Sequence, residues 1–291
     1  MKDLSILIPT YNDVCVELVS ALQQQAESLG VNYEIIVADD GSTDQQSIDA
    51  NRHINQLPHC RLIERKENCG RAVIRNFLAQ QACMPWLLFI DSDMKIGHSD
   101  FLQKYVTATD ADIIVGGISI VGDKEKLRNN IRYLYEQDAA PKHTLQARQA
   151  CPYHSFSTAN FMAARKLMNE IHFDERFRYY GYEDVLFGKQ LEEHHMDILH
   201  IDNPVNFTDF ESNDHYIRKT EEGMRTLHRF RHELKGHSAL ISFEEKHPFG
   251  AACIRLWHCI ASGWERRILT GTHPRLTLFK IYRIGYFLTL K

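Results

Sequence analysis

Apolar positions in the first hundred residues fall into two alternating rhythms. Short continuous runs read as strands buried on both faces: "LSILIPTY" from Leu4, "YEIIVADD" from Tyr33, "CRLIERKE" from Cys60 and "WLLFID" from Trp86. Between them "CVELVSALQQQAESLG", stopping at Gly30, and "RAVIRNFLAQQA" repeat apolar letters at helical spacing. "FLQKYVTAT" predicts a further helix, followed by the strand-like "DIIVGGISI". Such alternation predicts an α/β fold, with a mostly parallel central sheet flanked by helices.

The second half is less regular. "KLRNNIRYLYEQDA" and "YEDVLFGKQLEEHHM" read as helices and "FSTANFMAAR" as a strand. After "DILHIDNPVNF", a long helix from about Asp214 to Lys235 sets Ile217, Met224, Leu227 and Leu234 on one stripe. The clearest break lies near Gly236. Beyond it, "CIRLWHCIASGWERRIL" spaces Ile254, Trp257, Ala261, Trp264 and Ile268 along one helical stripe, with Arg255, Arg266 and Arg267 nearby.

Ligands of parallel sheets gather at the carboxyl ends of the strands. Those ends read Pro9-Thr10-Tyr11-Asn12, Asp39-Asp40-Gly41-Ser42, Glu67-Asn68-Cys69-Gly70-Arg71 and Asp91-Ser92-Asp93. In an extended segment, side chains two apart share a face, so Asp91 and Asp93 address one ligand from the end of an apolar strand. Hard divalent ions such as Mg²⁺ or Mn²⁺ take one or two carboxylates together with phosphate oxygens. The plain alternative for this pair is a solvated turn. Asp40 has the chemistry to accept from a base N–H or a ribose hydroxyl; the alternative is an Asx or N-cap turn bent at Gly41 and capped by Ser42. Arg71, at a helix start after Gly70, suits a phosphate, or is an ordinary surface arginine. Glu183 and Asp184 sit in the first turn of their helix, where the dipole alone favours acids.

The ordered set "PTYN", "VADDGSTD", "NCGRAVIRN", "FIDSDM" and "GYEDVLFG" resembles the large inverting family of nucleotide-sugar glycosyltransferases (family 2 type, GT-A fold) that includes cellulose, chitin and hyaluronan synthases. The resemblance spans roughly residues 3 to 230. It implies a GT-A domain over 1–235, with a Rossmann-like nucleotide-sugar-binding half (1–119) and an acceptor and catalytic half (120–235), then a basic C-terminal helical tail over 236–291. By this likeness Pro9 and Tyr11 flank the base, Asp40 binds it, and Arg71 lies beside base and diphosphate. Asp91, with Ser92, contacts the ribose side, and Asp93 is the direct ligand of Mg²⁺ or Mn²⁺. Asp184 takes the general-base position, and Glu183 contacts the acceptor or orients the loop. The implied reaction moves a sugar, most simply from a UDP-sugar, to a hydroxyl of a saccharide or lipid-linked acceptor. One departure stands out: where relatives carry a histidine metal ligand after Asn-Pro, the best register places Phe207, leaving Asp209 or His215 as substitutes.

Charge and cysteines refine this picture. The formal net charge is −4, but residues 248–291 hold seven Lys/Arg against Glu265 alone, leaving the preceding part about −10. The basic amphipathic tail is therefore expected either to lie on an anionic membrane surface or to pack on the catalytic domain. Seven cysteines, odd in number and without a CxxC pair, indicate free thiols in a reducing, cytoplasmic setting. "MKDLSILIPTYND" is too quickly polar for a signal peptide, and no apolar run approaches the roughly 20 residues of a membrane span. "EEHHM" reads as a polar helix end, not a zinc site. No nucleic-acid partner is expected. A sugar-nucleotide pyrophosphorylase or an NAD-linked oxidoreductase would need a glycine-rich loop, which "IPTYNDV" lacks and which follows no other strand. The alternative from a different class is a catalytically inactive nucleotide-sugar-binding or scaffold protein of the same fold.

Overall fold

The computed structural model describes residues 2–109 and 111–291. β1 (Leu4–Thr10), α1 (Val16–Leu29), β2 (Tyr33–Asp39), α2 (Gln45–Asn51), β3 (Cys60–Glu64), α3 (Arg71–Gln81) and β4 (Trp86–Ile90) open the chain. The alternation read from the sequence is present, and α1 ends at Gly30, whose φ of 62° makes it a left-handed cap. α2 is an addition: "QQSIDAN" has little apolar periodicity, but the Asp44 carboxylate accepts from the Ser47 N–H and starts the helix.

β5 (Met94–Lys95), α4 (Phe101–Thr107), β6 (Ile113–Val115) and β7 (Ile118–Ile120) follow. "DIIVGGISI" is thus two strands. At Gly116 a Cβ would lie 2.4 Å from the Asn160 amide and 2.6 Å from the Tyr105 hydroxyl, and Gly117 has a φ of +89°. The chain turns there from one sheet to another. α5 (Lys124–Leu127) and α6 (Ile131–Ala139) divide the single helix expected over "KLRNNIRYLYEQDA", because the Asn130 side chain accepts from the Tyr133 N–H and restarts the helix. α7 (Leu145–Ala150), β8 (Asn160–Ala164), α8 (Arg165–Glu170), α9 (Glu183–Glu193), β9 (Ile198–His200), β10 (Val205–Phe207) and α10 (Asn213–Arg229) complete this part. α10 stops six residues before the expected Lys235. Leu234 is buried as its stripe position required, but it reaches the core from a turn after Phe230 stacks on Phe177.

The main sheet has seven strands in the order β3-β2-β1-β4-β8-β6-β9. β3, β2, β1 and β4 are parallel, β8 runs antiparallel to β4 and β6, and β9 is parallel to β6. Strand periodicity builds a core on each face. Leu4, Ile6, Ile8, Ile35 and Val37 join α1 and α4 on one side, while Leu7, Ile36 and Ala38 join α3, α9 and α10 on the other. A small second sheet, β5-β10-β7, pairs Met94 with Phe207 antiparallel, and so brings Asp93 beside the turn after Phe207.

The tail forms α11 (Ala239–Lys246), α12 (Pro248–Leu269) and α13 (Leu276–Thr289). α13 folds back along α12, close enough that a Cβ on Gly285 would meet the His258 side chain at 2.6 Å. Leu269, Phe279 and Tyr282 share a cluster with Ile131, Tyr216 and Ile217, so the tail packs on α6 and α10. The stripe expected on α12 divides. Its buried line is Ala251, His258, Glu265 and Leu269, while Trp257 and Trp264 face outward. No helix of the described residues is long and apolar enough to cross a membrane.

Candidate active site

The carboxyl ends of β1, β2 and β4 and the loop before α3 open on one cavity of about 770 Å³. That volume lies within the range of sites for small molecules and cofactors. Pro9, Tyr11, Asp40, Arg71, Asp91, Ser92 and Asp93 all line it, together with Asp209 and His215. The residues singled out at four strand ends are therefore gathered around one space.

Local hydrogen bonds hold the rim in shape. Asn12, at a left-handed φ of 51°, accepts on its Oδ1 from the Thr43 and Asp44 N–H groups, and its own N–H donates to the Ser42 hydroxyl. The loops after β1 and β2 are thereby clamped together, with Tyr11 exposed at the mouth. The Asx-type turn weighed as the alternative for Asp40 is made by its neighbour Asp39, which accepts from the Ser42 N–H at 2.8 Å. Asp40 is buried and braces the next loop: Arg65 donates to one oxygen at 2.8 Å, and the Cys69 and Gly70 N–H groups donate to the other. Its carboxylate thus lines the cavity with both oxygens engaged.

Asp91 and Asp93 differ in their surroundings. Arg75 donates to Asp91 at 2.6 Å. Asp93 makes no side-chain hydrogen bond or ion pair among the described residues, and burial with the adjacent Asp91 charge raises its pKa to about 6. Asp13 Oδ2, Arg75 Nε and Arg132 Nε are buried without a hydrogen-bond partner among the described residues, and all three residues line the same cavity. A bound ligand or an ordered water would complete the bonding of such atoms. Asp93 shares this cavity with Asp91, Asp13 and Asp209, oxygen donors of the kind that suit Mg²⁺ or Mn²⁺, although no three of these carboxylates come within 4.8 Å of one another. Phe207 is buried and faces no such role; the Arg132 guanidinium lies 4.0 Å over its ring. Arg132 pairs with Glu211, which also meets Lys219 at 3.5 Å, so cationic groups face the carboxylates across the cavity.

Glu183 and Asp184 stand just outside this lining, at the start of α9. The turn that delivers them is tight: Gly181 has a φ of +93° and Tyr182 a left-handed φ of 71°, unusual for an aromatic residue. Glu183 is enclosed by Arg75 at 3.5 Å and Arg71 at 3.8 Å. Among the described residues Asp184 has only the Val185 N–H as a hydrogen-bond donor; burial and the Glu183 charge push its pKa up to about 7. Arg71 also lies over the Tyr180 ring at 5.0 Å, joining the cavity wall to the base of α9.

Arg75 was legible in principle, since it follows Arg71 by four residues on the same helical face. Arg132, Glu211 and Lys219 arrive from α6, the turn before α10, and α10 itself, with no local signal. Among the described residues, three metal-ligating side chains come within 4.8 Å of one another only at His154, Glu192 and His237. Glu192 lies at the far end of α9 from Asp184. His194 and His195 take no part there.

Residues 5–172 match the model of Glycosyl transferase family 2. Glycosyltransferase GlyG of Streptococcus pneumoniae serotype 4 is 26% identical over 189 residues, 60% of this chain and 61% of that protein. The poly(ribitol-phosphate) beta-glucosyltransferase of Bacillus spizizenii is 35% identical over 105 residues, 35% of this chain and 16% of that protein. The chain thus spans less than two thirds of the length of the curated relatives it matches. Among solved structures, S. aureus TarS 1-349 in complex with UDP-GlcNAc superposes with a TM-score of 0.55 at 18% identity, covering 99% of this chain and 90% of that one. The mannosyltransferase PcManGT of Pyrobaculum calidifontis, with GDP-Man and Mn2+, gives 0.54 at 14% identity, covering 99% and 87%. These likenesses show the fold, a GT-A type α/β architecture. With over half of its residues matched by one family model, the chain belongs to glycosyl transferase family 2.

Proposed function

We propose that the protein is an inverting glycosyltransferase that moves a sugar from a nucleotide-diphosphate sugar to a hydroxyl of a saccharide or lipid-linked acceptor. The observation that carries this reading is the convergence of Asp40, Arg71, Asp91 and Asp93 on one cavity, with Asp184 at its edge. A UDP-sugar is the first donor to test, since one structural neighbour holds UDP-GlcNAc, while another holds GDP-Man and Mn2+. The free state of all seven cysteines supports a reducing, cytoplasmic setting.

Each side chain has a defined task. Tyr11 and Pro9 offer apolar surface to the base, and the cationic wall of Arg71, Arg132 and Lys219 faces the diphosphate. Asp93, with Asp209 or His215, would hold Mg²⁺ or Mn²⁺, which when bound neutralises charge on the diphosphate. A neutral acceptor hydroxyl is a poor nucleophile until a base takes its proton. Asp184, with a pKa raised to about 7, receives that proton as the acceptor oxygen bonds to the anomeric carbon. The bond from that carbon to the phosphate oxygen breaks on the opposite face, and the nucleoside diphosphate leaves. Glu183, locked by two arginines, keeps Asp184 in register.

A thermal-shift panel of nucleotide sugars with Mn²⁺ or Mg²⁺ tests donor binding, because a ligand that binds the folded state raises Tm. A stabilising donor, followed by a product of inverted anomeric configuration by NMR, is the expected result. Binding without turnover on any acceptor would favour the scaffold alternative. No stabilisation by any nucleotide sugar would remove the proposal.

A further inference from the structure

The outer face of α12 is the largest feature that sugar transfer leaves unexplained. Phe249, Leu256, Trp257, Ile260 and Trp264 recur at helical spacing on one side and are all exposed, Phe249 at 83% and Ile260 at 79%. At 1.5 Å per residue they form an apolar stripe about 22 Å long. The other large apolar side chains exposed among the described residues, Tyr11, Val14, Val121 and Tyr179, lie elsewhere, two of them on the cavity. A continuous patch of this length on a folded chain marks a contact surface.

Charge identifies the partner. Glu265, the only acid in residues 248–291, is fully buried, accepting from the Trp257 indole N–H at 2.8 Å and contacting His258 Nδ1 at 2.7 Å. The indole's polar edge is thus satisfied inward, and its apolar face is left outward. No carboxylate side chain of this segment faces solvent. Arg255, Arg267 and Arg275 are exposed and carry no ion pair among the described residues. We propose that this face of α12 seats on an anionic phospholipid surface, with the stripe among the acyl chains and the arginines at the headgroups. A second copy of the chain would instead bring these arginines face to face with their own kind. The rest of the protein carries 27 Lys/Arg against 37 Asp/Glu, so repulsion turns it away from the bilayer and fixes the orientation. α12 is tied to α10 by Arg266, which donates to Asp214 and Glu221, while His215, Lys219 and Glu222 of α10 line the cavity. The docked molecule therefore holds its cavity one helix away from the lipid-facing element.

Flotation of the full chain with phosphatidylcholine vesicles, with and without roughly 30% phosphatidylglycerol, tests this directly. Partitioning onto the anionic vesicles should exceed that onto neutral ones by about tenfold or more, weaken with salt, and blue-shift tryptophan emission. The variant Leu256→Gln/Ile260→Gln/Trp264→Gln, altered only at exposed positions, should lose about tenfold or more of that binding while keeping its thermal melting temperature. Donor turnover need not be measured, so the result is independent of the catalytic reading. Equal binding by the variant, or no binding by the parent chain, overturns the proposal. So does a dimer in sedimentation that the variant dissolves, which would make this face a self-interface.

Discussion

Arg75 carries an unusual burden for a single side chain. It is 1% exposed, donates to the half-buried Asp91 and lies against the buried Glu183, which Arg71 meets as well, so one guanidinium serves two carboxylates. Removing one partner of a buried ion pair is far costlier than never having had the pair. Arg75→Met should therefore lose about 3–5 kcal/mol in urea unfolding near neutral pH. Asp184 shows the opposite tendency. Its carboxyl is raised from 3.8 to about 7, so between those values the folded chain binds the extra proton. Stability from this group consequently falls as pH rises through the window, and the penalty is complete above about pH 7. Asp184→Asn should raise Tm at about pH 8 and bring little change near pH 4, checked by calorimetry at both values. A carboxylate kept at a cost in stability is the pattern of a functional residue.

The strand ends show how local turns serve the site. Gly70 holds a φ of +93°, donates its N–H to Asp40, and passes so close to Arg178 that a Cβ would lie 2.6 Å from that carbonyl oxygen. Gly70→Ala should destabilise the chain by about 2 kcal/mol or more and weaken donor binding by displacing Arg71, readable by urea unfolding and titration with a nucleotide sugar. The strands around this loop were legible because continuous apolar runs leave few alternatives, and the sheet's carboxyl ends then pointed to Asp40, Arg71, Asp91 and Asp93. The small sheet was not legible: β5, β7 and β10 have two or three residues each, too few for any period to register. α10 illustrates the converse. Met224, Leu227 and Leu234 are all buried, but periodicity reports burial, and Leu234 reaches the core without helical backbone.

At the scale of the molecule, the tail and the far half of the cavity are what a linear reading resolved least. Arg132, Glu211 and Lys219 converge from segments about eighty residues apart, and only the completed fold brings their charges to one wall. On α12 the sequence stripe mixed two faces, since an acid at position 265 gave no sign that His258 and Trp257 would draw it inward. Glu265→Ala should strand both partners and cost about 1–3 kcal/mol, seen as a lower midpoint in urea unfolding. The account as a whole rests on Asp184 as the base beside a donor cavity. The most direct test compares donor affinity and acceptor-dependent release of nucleoside diphosphate in the parent chain and Asp184→Asn. The account predicts unchanged donor affinity with turnover lower by about 10²–10⁴-fold. Release at the parent rate by Asp184→Asn would contradict it.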